Sequence, residues 1–182
     1  MTGERSSSVY QSHKSICEEY ESIMEELGAN VKGYYSCYSY NVLAEFNTKY
    51  KWQMRLRKFS YHNFDSFLEQ PAKKYYDLLN TSQWSTNHFF QNSPPFFIRK
   101  ENKWDLFRLK FNRNWNRLPG NKGYIIKSQQ PQNPTVAKIN DILSQLYFHG
   151  EVYEISYANS KLFIDIRTDR ILRKEMRAIL KL

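Results

Sequence analysis

Hydrophobic and polar residues alternate most clearly between Tyr50 and Lys58, and this period-two pattern predicts a β-strand. Successive side chains of a strand point to opposite faces. The strand would therefore have one apolar and one cationic face, formed by Tyr50, Trp52, Met54 and Leu56 on one side and by Lys51, Gln53, Arg55 and Arg57 on the other. We expect the apolar face to lie in the core.

Apolar residues recur at helical spacing in four segments, which predicts helices over residues 9–27, 63–80, 134–148 and 168–182. Asn63, Asn133 and Thr168 are candidate N-caps, and Pro134 suits the first helical position after Asn133. Gly28 and Gly150 follow the ends of two of these segments, where glycine commonly ends a helix.

Further strands are predicted on both sides of the central segment. Residues 31–46 read as a tyrosine-rich strand, and 96–100 with 104–111 as a hairpin that turns at Glu101–Lys103. A short strand is expected over 124–127 and a second hairpin over 151–167. The polar segments 81–95 and 112–123 are predicted to be loops.

These elements predict an α+β fold in which antiparallel hairpins pack against about four helices. Helix–hairpin–helix appears twice, so two such halves around a basic hairpin insert are one arrangement to consider. The corresponding domains are a disordered tail (1–8), an α+β body (9–127) with the insert at 97–127, a linker (128–133) and a helix–hairpin–helix subdomain (134–182). A single compact domain is the alternative for a chain of 182 residues.

The charge of the chain is strongly uneven. The net charge is +9, yet residues 1–30 hold six glutamates against two cations, a balance of −4, which leaves +13 on the remaining residues. Residues 97–128 hold nine Lys or Arg and two acids, a balance of +7, interleaved with Trp and Phe. Aromatic rings stack on bases and cations contact phosphates, so this mixture favours nucleic acid as a partner.

The primary hypothesis is a non-enzymatic protein that binds RNA or DNA, as a subunit of a larger nucleoprotein assembly with protein partners. Cations predicted to contact phosphate are Arg55, Arg57, Arg108, Lys110, Arg113, Arg117 and Lys122. Trp104 and Trp115 are predicted to stack on bases; Trp84, Phe89, Phe90 and Tyr124 also lie in polar or basic surroundings that suit stacking. Phe107 and Phe111 are assigned to the core.

Two other functions remain open. Trp, Tyr and Arg also dominate the energetics of protein interfaces, so a scaffold or protein-interaction subunit would have the same composition. Glu101-Asn102-Lys103 matches the E-x-K element of metal-dependent nucleases, for which Asp65, Glu69 or Asp77 would have to supply a second metal ligand. All three acids lie on a predicted helix, which favours a plain charged turn.

No sequence motif indicates a catalytic residue, a cofactor or a metal site. The two cysteines, Cys17 and Cys37, are too few for a disulfide framework, and thiols suit a reducing compartment. We therefore expect a nuclear or cytoplasmic protein without membrane association. The serine-rich start, with Arg5 and Lys14, makes a mitochondrial location the second choice.

Overall fold

The structure is a computed structural model that describes residues 7–59, 80–89, 93–131 and 133–182. Its five helices are α1 (Ser8–Glu26), α2 (Asp105–Phe111), α3 (Pro134–Ile142), α4 (Ser144–Phe148) and α5 (Arg173–Ile179). Its strands are β1 (Ala29–Tyr35), β2 (Ser39–Phe46), β3 (Trp52–Phe59), β4 (Thr81–Thr86), β5 (Phe96–Lys100), β6 (Trp115–Arg117), β7 (Tyr124–Ser128), β8 (Val152–Ala158) and β9 (Lys161–Arg167).

All nine strands join one sheet, in the order β1-β2-β3-β4-β9-β8-β5-β7-β6. Every neighbouring pair is antiparallel. The hairpin of β8 and β9, last in the chain, lies in the middle of the sheet, where β9 pairs with β4 and β8 pairs with β5. Residues distant in sequence therefore form adjacent strands.

One face of the sheet is apolar and forms the core with α1, α3, α4 and α5. Side chains in register across the central strands are all buried there: Met54, Trp84, Ile164, Ile155, Ile98 and Ile126. The Trp84 ring lies 6.3 Å from Trp52 and 5.6 Å from Phe46, between ring centroids. The burial of Trp52, Met54 and Leu56 confirms the alternation predicted for this strand.

The opposite face, called here the open face, carries the polar half of each strand. Arg117, Ile125, Arg99, Glu154, Asp165, Gln83 and Arg55 succeed one another across it in register. A parallel row runs through Trp115, Lys127, Phe97, Ser156, Phe163 and Ser85. Helix α2 is the described helix that lies on this side, against β5 and β6.

Helix α1 lies very close to the edge strand β1, and a glycine makes this approach feasible. A Cβ atom on Gly33 would lie 2.4 Å from Cys17 Sγ and 2.6 Å from Glu21 Oε1. The Gly33 amide instead donates a hydrogen bond of 2.6 Å to Glu21 Oε1. Ser7 caps the helix, since its hydroxyl accepts a hydrogen bond from the Tyr10 amide at 3.1 Å.

The predicted start of the helix after residue 133 is confirmed. Asn133 Oδ1 accepts a hydrogen bond from the Val136 amide at 2.9 Å, and Pro134 occupies the first turn. The helical segment is divided into α3 and α4 at Leu143, and it ends at Gly150, whose φ of +70° is the left-handed conformation that favours glycine.

The α+β class fits this structure, but the predicted arrangement of hairpins against about four helices, with two helix–hairpin–helix halves, is wrong. All the hairpins belong to one continuous sheet, and the described residues contain five helices. The sheet dominates the fold because β8 and β9 bridge the strands that precede them.

Individual elements also differ from the prediction. Residues 29–46 form two strands, the predicted loop at 81–95 contains β4, and the predicted return strand at 104–111 is helix α2. The last helix begins at Arg173, and Thr168 is not its cap: Thr168 Oγ1 donates to Glu151 Oε1 at 2.7 Å.

Two predictions fall largely outside the described residues: the tail at 1–8, of which Ser7 and Ser8 belong to the start of α1, and the helix at 63–80. The domain boundaries at 127 and 134 stay a prediction. None of the helices within the described ranges has the length and apolar character that a membrane span requires.

Candidate nucleic-acid interface

The basic insert contains a short helix, α2, whose start is organised by Asn102 and Asp105. Asn102 Oδ1 accepts a hydrogen bond from the Trp104 amide at 3.0 Å, and Asp105 Oδ2 accepts one from the Asn102 amide at 2.7 Å. The first bond closes an Asx-turn at Asn102, and the second ties the Asp105 side chain back to the same residue, so both shape the turn before α2. This turn leads into helix α2, although the alternation of Phe107, Leu109 and Phe111 by itself predicts a strand.

Asp105 is fully buried and joins α2 to the sheet. Its carboxylate accepts two hydrogen bonds from the Arg99 guanidinium, at 2.6 and 2.7 Å, and one from Arg108 at 3.1 Å. The hydrogen bonds from Arg99 lower the pKa of Asp105, and burial opposes this effect in part. The two-pronged geometry fixes both partners, so α2 is held at a defined position on the open face.

Trp115, on β6, is half-buried beneath this ion network. Its ring centroid lies 5.2 Å from Arg99 Cζ and 5.9 Å from Arg108 Cζ. The Phe97 ring meets it edge-on at 6.3 Å. A cation over an indole face is attracted to it. Trp115 therefore helps to hold Arg99 and Arg108 in place.

The solvent side of the α2 region exposes large apolar side chains among cations. Trp104, Leu106, Phe107 and Phe111 are each between 61% and 75% exposed. Lys103, Arg108, Lys110 and Arg113 lie between and beside them. We call these eight residues the α2 surface. Soluble proteins seldom expose such a cluster unless it binds something.

The structure brings seven of the predicted site residues together in one stretch of the fold. Trp104, Arg108, Lys110 and Arg113 belong to the α2 surface, and Trp115 lies beneath it. Arg117 lies on β6, 3.9 Å from Glu101, and Lys122 lies exposed in the turn before β7.

Arg55 and Arg57 lie apart from this group, because β4, β9 and β8 separate their strand from β5. At the usual spacing between strands this is about 19 Å. Arg55 donates a hydrogen bond to Asn41 Oδ1 at 3.1 Å, and Arg57 is half-buried rather than fully exposed. Both arginines share the open face with α2 without adjoining it.

Several aromatic assignments need correction. Phe107 and Phe111, assigned to the core, are exposed because the segment is helical. Trp84, Phe89 and Tyr124, considered for stacking, are buried in the core because their strands or loops point them inward. Phe90 lies outside the described residues. The local signal in the sequence is Asn102, whose side chain closes an Asx-turn just before α2.

A second group of charges lies on the open face where β8 meets β9. Glu154 and Asp165 are directly opposed across the two strands, and Arg167 Nη2 lies 3.6 Å from Asp165 Oδ2. Burial raises the pKa of Asp165, and burial followed by the Asp165 charge raises the pKa of Glu154. Within the described ranges no three His, Cys, Asp or Glu side chains converge as a metal site.

The E-x-K hypothesis stays a prediction, because its second metal ligand would have to come from residues outside the described ranges. Glu101 pairs with Arg117, and the three upstream acids considered as metal ligands, Asp65, Glu69 and Asp77, lie outside the described residues. No group of three His, Cys, Asp or Glu side chains among the described residues includes Glu101.

A cleft adjoins the α2 surface on its β5 side. It has a volume of about 440 Å³ and is lined by Pro94, Pro95, Phe97, Asn114, Lys127 and Ser156, among others. Phe97 forms part of its wall and contacts Trp115, so the cleft and the ion network are neighbours.

Comparisons with protein-family models, curated proteins and solved structures found no match to this chain.

Proposed function

We propose that this chain is a non-enzymatic protein that binds single-stranded RNA or DNA through the α2 surface, as a subunit of a larger nucleoprotein assembly. One observation carries the proposal: four large apolar side chains are exposed on α2 and just before it, interleaved with four cations. A single strand offers unpaired bases to the rings and phosphates to the cations at the same time.

The rigidity of this region supports the proposal. The buried Asp105 carboxylate fixes Arg99 and Arg108, and these guanidinium groups lie over Trp115. A stacking platform that is already ordered loses less conformational entropy when it binds a strand. The remaining cations, Arg117 and Lys122, extend the positive surface along β6 and the following turn.

The local charge also favours a polyanionic partner. Net +7 over residues 97–128 attracts a polyanion, and the exposed rings add contacts that do not depend on base sequence. A nuclear or cytoplasmic location agrees with such a partner, with mitochondria as the second choice. Cys17 and Cys37 form no disulfide with each other, which suits a reducing compartment.

The alternative is a protein partner that covers the same surface. Leu106 favours it, because an aliphatic side chain cannot stack on a base as a ring does, and exposed Trp and Arg are typical of interface hot spots. The two functions differ in their response to salt: a polyanion dissociates steeply as salt rises, whereas an apolar protein interface is less affected.

The test is the anisotropy of labelled single-stranded and duplex oligonucleotides, titrated with the protein between about 50 and about 200 mM salt. Trp104→Ala should weaken single-strand binding by ~1–3 kcal/mol if the ring stacks on a base. Tyr34→Ala is the matched control, since Tyr34 is also exposed but lies on β1 at the opposite edge of the sheet.

The charge contribution is tested separately. Neutralising Arg113, Arg117 and Lys122 to Gln should reduce the slope of log K against log salt by about two, at roughly 0.7 per lost single-strand phosphate contact. The control carries the same charge change at exposed residues of other elements, Lys32 on β1 and Lys174 and Arg177 on α5. Wild-type protein without salt-sensitive binding to any strand would refute the proposal and favour the protein partner.

A further inference from the structure

The cleft beside the α2 surface has the features of a small-ligand site. Its volume of about 440 Å³ lies within the usual range for such sites, roughly 300–1,000 Å³. Apolar side chains form part of the lining, from Pro94, Pro95 and Phe97, and a few polar groups reach it from different elements. This mixture gives a ligand both apolar contact and orientation.

Three polar side chains of the lining have no partner among the described residues. Within the described ranges, the Asn114 side-chain amide, the Lys127 ammonium and the Ser156 hydroxyl make no hydrogen bond or ion pair. Asn114 precedes β6, Lys127 lies on β7 and Ser156 on β8, so three elements contribute one group each. Together they offer an amide, a cation and a hydroxyl to one ligand.

The position of the cleft indicates where that ligand comes from. Lys127 is opposite Trp115 in the β6–β7 pairing and opposite Phe97 in the β5–β7 pairing. Phe97 contacts Trp115, and Trp115 lies under Arg108 of the α2 surface. A strand that crosses the α2 surface therefore reaches the cleft by passing along one row of the sheet.

We propose that the cleft receives one unpaired nucleobase of the bound strand, with the attached phosphate on Lys127. This inference rests on the proposed function and assigns it a specific subsite. The base contacts Phe97 and the prolines through its apolar faces. Its polar edge exchanges hydrogen bonds with Asn114 and Ser156, because an amide both donates and accepts and a hydroxyl does the same.

The same chemistry occurs in a free nucleotide, and the experiment separates the two sources. The probes are short labelled oligouridylate and oligoadenylate strands, the same strands with one abasic residue moved along the sequence, and the free monophosphates UMP and AMP. If the cleft holds the base at one position of the strand, the affinity for the strand should fall about tenfold when the abasic residue is at that position. This is the loss expected for one stacked base.

Two variants test the cleft itself. Ser156→Phe fills it without changing any charge, and Ser85→Phe is the matched control, because Ser156 and Ser85 both lie opposite Phe163 on the same row of the open face. Ser156→Phe should bind the intact strand about tenfold more weakly than wild type and should no longer distinguish it from the abasic strand. Ser85→Phe should behave as wild type.

The outcomes are distinct. If strands bind and Ser156→Phe still distinguishes intact from abasic strands, the base subsite is wrong while the proposed function stands. If UMP or AMP binds in a way that Ser156→Phe abolishes, yet strand binding is unaffected, the cleft is a nucleotide site separate from the strand and the inference is overturned. If no strand binds wild-type protein, both proposals fail.

A folding defect does not block the test. Asn114→Ala changes an exposed residue of a turn and keeps the sheet intact. It should lower strand affinity severalfold and reduce the difference between intact and abasic strands. Wild-type behaviour of Asn114→Ala in both measurements would count against the cleft as a base site.

Discussion

Asp105→Asn is the most informative single change, because one buried carboxylate holds the proposed binding surface on the sheet. The wild-type side chain accepts four hydrogen bonds, two from Arg99, one from Arg108 and one from the Asn102 amide. Asparagine has nearly the same size, but it carries no charge and turns a donor toward the guanidinium groups.

The magnitude follows from the exposure of the two arginines. The Arg99 side chain is only 18% exposed, so its positive charge would remain in the protein without a counter-charge. Breaking one partner of such a pair costs ~3–5 kcal/mol. Arg108 is 52% exposed, so water replaces its partner and the additional loss is about 1 kcal/mol or less.

The assay is urea unfolding at neutral pH, together with hydrogen exchange of the α2 amides. Asp105→Asn should lose ~3–5 kcal/mol of unfolding free energy, or lose α2 protection first if α2 opens on its own. Glu101→Gln is the control: it breaks the pair with Arg117, which is 71% exposed, and should cost about 1 kcal/mol or less.

The pH dependence has a defined sign. Because Arg99 lowers the pKa of Asp105 in the folded protein, this stability is present above the unfolded pKa of about 4 and is lost as pH falls through the folded value. The variant should therefore lose less stability than wild type on acidification. Unchanged stability, α2 protection and acid sensitivity would refute the structural role of Asp105.

Two further predictions concern the core and the α1 contact. Trp52→Ala should cost ~3–5 kcal/mol in urea unfolding, because the ring is fully buried against Trp84; a near-neutral effect would contradict the core assignment. Gly33→Ala should lower the melting temperature, because its Cβ would lie within 3 Å of both Cys17 Sγ and Glu21 Oε1. Wild-type melting of Gly33→Ala would show that α1 shifts without cost.

The sequence predicts the fold best where local and long-range preferences agree. Residues 52–56 alternate strictly because one face of β3 is buried and the other is open. The alternation of apolar and polar side chains therefore predicts both the strand and its buried face. Asn133 and Pro134 likewise suffice to start a helix whatever packs against it.

Prediction fails where partners distant in sequence decide the structure. β4 is made of polar residues and one tryptophan, and it becomes a strand because β3 and β9 flank it on both sides. Phe107, Leu109 and Phe111 fit a strand as well as a helix until the Asn102 and Asp105 hydrogen bonds are formed.

The candidate site shows the same division. The charge and aromatic content of residues 97–128 are local properties, so the seven predicted residues from Trp104 to Lys122 could be chosen from sequence. The distance of Arg55 and Arg57 from them depends on strand order, which no local pattern indicates. The cleft was missed for the same reason, since its lining comes from separate strands and loops.

The central place of the β8–β9 hairpin has a consequence for how the chain folds. During synthesis, β1 to β4 and β5 to β7 emerge first, as two separate groups of strands, and each presents one edge that pairs with a later strand. Those edges remain open to other chains until β9 reaches β4 and β8 reaches β5. The β4–β9 pairing joins residues about 80 positions apart, and closing so long a loop slows folding. Aggregation of nascent or truncated chains should therefore begin at β4 and β5, because their pairing partners β9 and β8 are synthesised later.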